Sequence, residues 1–129
     1  MNGYFLIAGL LLVLLSVAHA IWGERRVFTV PALNATDPET YLSVYVPWHQ
    51  LTGVLLLSGV ALLLTAFQSS VLTFVPIFIL VLITSNMLVF FGLVIGKKQT
   101  QMFARTLPQT VLFFLLIVLI ILGIASSAL

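Results

Sequence analysis

The chain of 129 residues contains no cysteine and few charged residues. The absence of cysteine excludes disulfides, thiol redox chemistry and cysteine-ligated metal sites. Charged residues make up only 6% of the chain, whereas hydrophobic residues make up 62%. Polar surface this scarce cannot cover a water-soluble globule of this length, so lipid is the expected solvent. The composition therefore predicts a protein that is integral to a membrane.

Acidic residues are nearly absent from the apolar part of the chain. Asp37 and Glu39 lie in a loop, and Glu24 lies at the boundary of an apolar run. A proton-coupled exporter is expected to carry a carboxylate within a membrane helix, so this class is not indicated. The chain also has no Walker loop and no Ser/His/Asp set. The sequence does not point to an enzyme, and its net charge of +2 is too small to predict a nucleic-acid partner.

Four long apolar runs predict the fold. They span residues 4–22, 48–67, 71–95 and 107–128. About 20 residues cross a hydrocarbon core of roughly 30 Å, and backbone groups in lipid must be bonded within their own segment. Ala18-His19-Ala20 matches a signal-peptidase pattern, but no basic n-region precedes it, so we expect the first run to be retained. We predict an all-α integral membrane protein, with residues 1–129 forming one bundle of four transmembrane helices.

All five basic residues fall on one side of this predicted bundle. They are Arg25, Arg26, Lys97, Lys98 and Arg105. Loops 23–47 and 96–106 contain them, whereas the loop near Gln68 and both chain ends have none. By the positive-inside rule, both basic loops face the cytoplasm and both termini lie outside. The predicted location is the plasma (inner) membrane, in an Nout/Cout topology.

The first basic loop contains a helix-start pattern. Asp37 is a typical N-cap residue, and Pro38 suits the first helical position. An apolar and aromatic stripe follows, formed by Tyr41, Leu42, Val44 and Tyr45. This pattern predicts a short interfacial helix in the first cytoplasmic loop, with its tyrosines at headgroup depth. We expect Pro47 to end or kink that helix as the second membrane helix begins.

Small and polar residues form a stripe on each of the first two membrane helices. The stripes contain Gly9, Ser16, His19 and Gly23 on the first helix, and His49, Thr52, Gly59 and Ala66 on the second. Small residues on one face let helices approach closely. Because the two helices are consecutive in the sequence, they are predicted to be antiparallel neighbours. Both histidines should face the bundle at its cytoplasmic end.

His19 and His49, with Glu24 nearby, form the candidate ligand site. Imidazole is a common ligand for transition metals and for haem iron, so one interpretation is a metal or haem b site. Two histidines are nevertheless an incomplete zinc set. We favour a structural role and predict no cofactor, with haem b or a transition metal on His19 and His49 as the alternative. In the structural interpretation, Glu24, Asn86 or a backbone carbonyl accepts a hydrogen bond from one imidazole.

Asn86 lies near the middle of the third apolar run, in the polar group Thr84-Ser85-Asn86. It lies about 13 Å from the cytoplasmic end of that run, at 1.5 Å per residue. An amide at this depth needs polar partners, so we predict a polar contact between helices. Gly92-x-x-x-Gly96 on the same helix is a common close-packing motif.

One pattern resembles a known group of proteins. It consists of His19-x-x-x-Gly23-Glu24-Arg25-Arg26, followed by Trp48-His49. It resembles small, functionally uncharacterised four-helix bacterial membrane proteins, which carry H-x-x-x-G-E-R at the end of helix 1 and W-H at the start of helix 2. The likeness covers mainly the first 60 residues. It implies no activity, but it implies that His19, Glu24 and His49 are the first positions to examine.

The sequence predicts two functions of different classes. The first is a small membrane accessory or scaffold subunit, which packs in the lipid bilayer against itself or against a larger membrane complex. The second is a haem- or metal-binding redox or sensor protein that uses His19 and His49 at the cytoplasmic face. A visible spectrum of the purified protein distinguishes them.

Overall fold

The computed structural model describes residues 1–68 and 74–127, and 89% of these residues are helical. No strand occurs within these two ranges. Four helices are long and apolar enough to cross a membrane, namely Gly3–Val27, Pro38–Phe67, Phe74–Gly96 and Leu107–Ser127. The prediction of four long apolar helices is therefore confirmed.

The helices follow one another along the chain with short connections. In order, they are α1 (Gly3–Trp22), a π-helical turn (Gly23–Val27), α2 (Pro31–Asn34), α3 (Pro38–Phe67), α4 (Phe74–Gly96), α5 (Gln101–Arg105) and α6 (Leu107–Ser127). Residues 71–73, where we predicted the third membrane helix to begin, lie outside the described residues, as does Ala128. The short helices α2 and α5 both belong to the predicted basic loops.

Helix α3 is longer than predicted because it continues through Pro47. Its start is as predicted: Asp37 Oδ1 accepts the backbone N–H of Thr40 at 2.9 Å, and Pro38 occupies the first turn. The helix then runs for 30 residues, so the separate interfacial helix predicted in this loop is wrong. Pro47 is exposed, and so is Ser43, whose carbonyl loses its N–H partner to the proline.

Helices α1 and α3 form an antiparallel pair. At one end, the Asn2 N–H donates to Ala66 O at 2.8 Å, and at the other end Trp48 Nε1 donates to His19 O at 3.1 Å. The first bond joins the start of α1 to the end of α3, and the second joins the end of α1 to Trp48 in the first half of α3. The predicted antiparallel neighbours are confirmed, and they form the most extensive helix pair in the bundle.

Gly9 and Gly59 bring the backbones of this pair into contact. A Cβ atom at Gly9 would lie 2.9 Å from Gly59 O, and one at Gly59 would lie 2.9 Å from Gly9 O. The rest of the predicted small-residue stripe is largely buried with them, including Ser16, Gly23 and Ala66. The stripe is therefore the surface on which α1 and α3 approach each other.

The remaining long helices, α4 and α6, pack against the α1–α3 pair and against each other. Helix α6 packs against α1 and also against α4, whereas α4 makes only a smaller contact with α3. The apolar core includes Phe5, Leu12, Leu62, Ile83, Leu116 and Ile120. The ring of Phe5 occupies the space that a side chain at position 123 would need, so Gly123 lets α6 approach α1.

Asn2 joins three helices at the end of the bundle away from the basic loops. Its Oδ1 accepts the N–H of Phe5 at 3.2 Å and so caps α1. Its Nδ2 donates to Gly123 O and to Ser127 Oγ, each at 2.8 Å, and its backbone N–H donates to Ala66 O. The start of α1 and the ends of α3 and α6 therefore lie together.

Candidate functional site

The opposite end of the bundle holds a group of polar and aromatic side chains, the histidine–aromatic cluster. Its members are His19, Glu24, Phe28, Tyr45, Trp48 and His49. They come from the end of α1, from the π-helical turn and the residue after it, and from the first half of α3. All three residues of the predicted site, His19, Glu24 and His49, belong to it.

One face of α3 supplies half of the cluster. Tyr45, Trp48, His49 and Thr52 follow one another at spacings of three, one and three residues. These spacings place them on the same side of an α-helix. The predicted break at Pro47 separates Tyr45 from the other three, which is why its part in the site was missed. When residues 38–67 are treated as one continuous helix, the sequence alone places these four side chains on one face.

Glu24 is the polar centre of the cluster. Its Oε1 accepts a hydrogen bond from the Tyr45 hydroxyl at 2.8 Å and lies 3.0 Å from His49 Nε2. The His49 and Glu24 side chains are 32% and 50% exposed, so water reaches the pair. Of the two imidazoles, His49 is therefore the one bonded to Glu24. When its imidazole is protonated, the contact is also an ion pair.

The π-helical turn positions Glu24 toward α3. The N–H of Phe28 donates to Gly23 O at 2.9 Å, which closes this wider turn. Gly23 lies directly against the indole of Trp48, and a Cβ atom there would collide with Trp48 Nε1. Glycine at this position therefore lets the start of α3 come close enough for Glu24 to reach His49.

His19 has its own set of contacts, separate from those of Glu24. Its ring stacks on Trp48, with the centroids 4.2 Å apart and the planes 12° apart. His19 Nδ1 lies 2.9 Å from Thr52 Oγ1, and the Thr52 hydroxyl donates to Trp48 O at 3.2 Å. The Thr52 hydroxyl therefore lies within hydrogen-bond distance of both the His19 imidazole and the Trp48 carbonyl, which ties the His19 ring to α3.

Aromatic rings cover the faces of both imidazoles. The Phe28 ring lies 4.7 Å from Tyr45 and 5.8 Å from both Trp48 and His49, measured between centroids. Phe28 is 5% exposed, so it forms the apolar floor of the cluster. Phe28, Tyr45 and Trp48 therefore hold the orientation of the two imidazole rings.

The cluster offers few ligands for a metal ion. Across residues 1–68 and 74–127, no three His, Cys, Asp or Glu side chains are grouped closely enough to hold one. Glu24 and His49 together supply two ligands, whereas a zinc site usually takes three or four from the protein. The chemistry that this geometry supplies is an accessible acid–base pair held in place by Tyr45.

Asn86 is not part of this cluster, and its predicted polar contact between helices stays a prediction. Its Nδ2 donates to Leu82 O at 2.9 Å, one turn earlier on α4, and its side chain is exposed. No hydrogen bond to Asn86 Oδ1 comes from the described part of the chain.

Comparison of the chain with protein-family models, with curated proteins and with solved structures finds no match. The resemblance of the His19–Arg26 and Trp48-His49 patterns to small bacterial four-helix proteins therefore stays a prediction. The candidate site rests on its own geometry.

Proposed function

We propose that this protein is a small integral membrane subunit that packs against itself or against a larger membrane complex. The contact surface is the outward face of α4. The observation that carries the proposal is that α4 exposes an amide beside a stripe of small residues. Ser85, Asn86, Gly92 and Gly96 are all exposed, and a Cβ atom at Gly92 or Gly96 would meet no atom within 4 Å.

The small residues of α4 form a stripe that faces away from the bundle. Ser85, Gly92 and Gly96 are separated by seven and four residues, which returns each to the same side of an α-helix. The buried residues of α4 lie on the other side and include Ile79, Ile83, Met87 and Val94. Such a stripe allows another helix to approach the α4 backbone.

The depth of Asn86 makes a partner helix energetically favourable. At 1.5 Å per residue, Asn86 is about 15 Å from Gly96, close to the middle of a hydrocarbon core of roughly 30 Å. A carbonyl oxygen left without a donor at that depth is costly. A polar group from another helix would satisfy Asn86 Oδ1, which links this residue to assembly.

For the topology, we propose that loops 23–47 and 96–106 face the cytoplasm of a cell whose plasma (inner) membrane holds the chain. The asymmetry of the five basic residues supports this orientation. The hydrogen bond between Asn2 and Ser127 supports one side for both chain ends. A reporter fused after Leu129 is expected to be active only as a non-cytoplasmic marker, and cytoplasmic activity would contradict the topology.

Disulfide crosslinking in native membranes tests the assembly proposal. The chain has no cysteine, so an introduced residue is its only thiol. Ser85→Cys should form a dimer, or one discrete larger product, on mild oxidation. Leu57→Cys is the matched control because Leu57 is 70% exposed at mid-length on the membrane part of α3. Equal crosslinking of both variants, or none with Ser85→Cys at any protein-to-lipid ratio, would contradict the proposal.

A second variant tests the part that Asn86 plays. Asn86→Leu should insert normally and lower the yield of the Ser85→Cys product. The expected change is small, because polar contacts between membrane helices average roughly 0.6 kcal/mol. If the yield of the crosslinked product were unchanged, the interface would consist of the small-residue stripe without Asn86.

Haem or metal binding through His19 and His49 is the alternative function. The features that favour it are the accessible pair of Glu24 and His49 and the nearby imidazole of His19. A Soret band, or one equivalent of metal by elemental analysis, that disappears in His49→Ala would support this function. A colourless, metal-free protein that still crosslinks through α4 would support the subunit.

A further inference from the structure

A cleft lies on the outer side of α1, where the helix meets the π-helical turn. Its volume is about 430 Å³, and its lining consists of Ala18, Ile21, Trp22, Arg25 and Arg26. Ala18, Ile21 and Trp22 are exposed, so the cleft opens away from the contact between α1 and α3. It is distinct from the histidine–aromatic cluster and from the outward face of α4.

The two arginines of the cleft have no carboxylate partner within the described ranges. The carboxylate next to them in sequence is Glu24, and it is bonded to Tyr45 and His49 on the α3 side. The contact of Glu24 with His49 is the one ion pair found in residues 1–68 and 74–127. The cleft therefore carries two uncompensated positive charges.

The cleft changes in character along α1. Ala18 and Ile21 line its apolar end within the membrane helix, whereas Arg25 and Arg26 line the end in the π-helical turn. Trp22 lies between the two ends, and the Arg26 guanidinium lies 6.0 Å from the centre of its ring. Indole side chains of this kind favour the membrane–water interface. The cleft thus has the polarity of a phospholipid, apolar at one end and anion-binding at the other.

We propose that this cleft binds an anionic phospholipid. The headgroup phosphate accepts hydrogen bonds from Arg25 and Arg26, because guanidinium groups match phosphate oxygens in geometry and charge. An acyl chain lies along Ala18 and Ile21. An anionic lipid fits better than a zwitterionic one, since a zwitterionic headgroup brings its own cation to a site that already holds two. Free phosphate would leave the apolar end of the cleft unused.

Quenching of tryptophan fluorescence by brominated lipids tests this site. The purified protein is reconstituted in phosphatidylcholine vesicles with increasing fractions of brominated phosphatidylglycerol or brominated phosphatidylcholine. Trp22 is 60% exposed, and the variant Trp22→Phe shows how much of the signal comes from Trp48. The brominated anionic lipid should quench Trp22 several-fold more effectively at equal fraction.

The charge variant R25Q/R26Q should remove most of this preference, by up to about fivefold for each arginine. K97Q/K98Q is the matched control, because it removes the same charge from the other basic loop and leaves the cleft intact. Its preference for phosphatidylglycerol should stay close to that of the unchanged protein. The helical content of each variant, measured by circular dichroism, shows whether it is folded.

Three results would overturn the proposal. The first is equal quenching of the unchanged protein by the two brominated lipids, which needs no variant to interpret. The second is an equal loss of preference in both charge variants, which would indicate a general surface field. The third is loss of the preference in millimolar inorganic phosphate at constant ionic strength, which would indicate a free-anion site.

Discussion

Helices α1 and α4 carry similar small residues and use them differently. Gly9 of α1 meets Gly59 of α3 at backbone distance, whereas Gly92 and Gly96 of α4 meet no neighbouring atom within 4 Å. The residue types do not differ between the two places. What differs is whether the same chain supplies a helix to fill the space. A stripe of small residues therefore marks where a helix can approach, without specifying the partner.

The largest difference is expected when a leucine replaces a glycine, either in the contact between α1 and α3 or on the outward face of α4. Gly59→Leu should destabilise the bundle by about 3 kcal/mol, at the upper end of the range for overpacking. The reason is that a Cβ atom at Gly59 would already lie 2.9 Å from the backbone atoms Gly9 O and Val13 N. Gly92→Leu should leave unfolding in detergent unchanged and weaken self-association. Equal destabilisation by both would remove the distinction between the surfaces.

A smaller effect is expected at the end of the α1–α3 pair. Gly23→Ala forces a Cβ atom against the Trp48 indole, so α3 must move away from the π-helical turn. We expect a loss of about 2 kcal/mol and a shifted Trp48 emission in a Trp22→Phe background. Gly53→Ala is the control, because a Cβ atom there meets nothing within 4 Å. An unaltered Trp48 spectrum in Gly23→Ala would argue against the close contact.

The contact between Glu24 and His49 should contribute less to the stability of the bundle than the glycine contacts do. Both side chains are partly exposed, so their interaction is screened by water. A double-mutant cycle with Glu24→Gln and His49→Gln should give a coupling energy of roughly 0.2–1 kcal/mol at a pH where the imidazole is charged. A coupling of several kcal/mol would show that the pair is less accessible than its exposure indicates.

The smallest effect is expected at the start of α3, far from the glycine contacts. Hydrogen bonds from the Thr40 side chain and backbone lower the pKa of Asp37. Because the pKa of Asp37 is lower in the folded state, its carboxylate stabilises the fold at any pH above its unfolded-state pKa. That stabilisation is lost as the pH falls through the folded-state pKa. Acid should therefore loosen the first turn of α3, as measured by amide exchange. Asp37→Asn caps the helix without titrating and should abolish that dependence.

The sequence was sufficient for features that depend on local pattern. The lengths of the apolar runs, the cap at Asp37 and the small stripe through Gly9 and Gly59 are all properties of neighbouring residues in one helix. Each survives in the structure because burial in the bundle follows the same helical period. The pairing of α1 with α3 followed from those stripes and from their being consecutive membrane helices in the sequence.

The features that the sequence did not reveal depend on tertiary context. Pro47 ends many helices, but it is tolerated at an exposed position of α3, where the carbonyl that it deprives can be solvated. The π-helical turn at Gly23 depends on the Trp48 indole that packs against it. The direction of Asn86 depends on how α4 rotates against α6, which no property of α4 alone determines. Each of these outcomes is decided by a neighbour from another part of the chain.

The hydrogen bonds of Asn2 have a consequence for the order in which the chain is completed. The side-chain oxygen of Asn2 can cap α1 as soon as the first turn forms, because its partners are three residues away or less. Its Nδ2 donor must wait for Gly123, which is 121 residues later in the chain. In a half-synthesised chain, α1 is therefore already capped, but the Asn2 Nδ2 still lacks its partner on α6. Helix α6, which is made long after α1, closes the junction that Asn2 began.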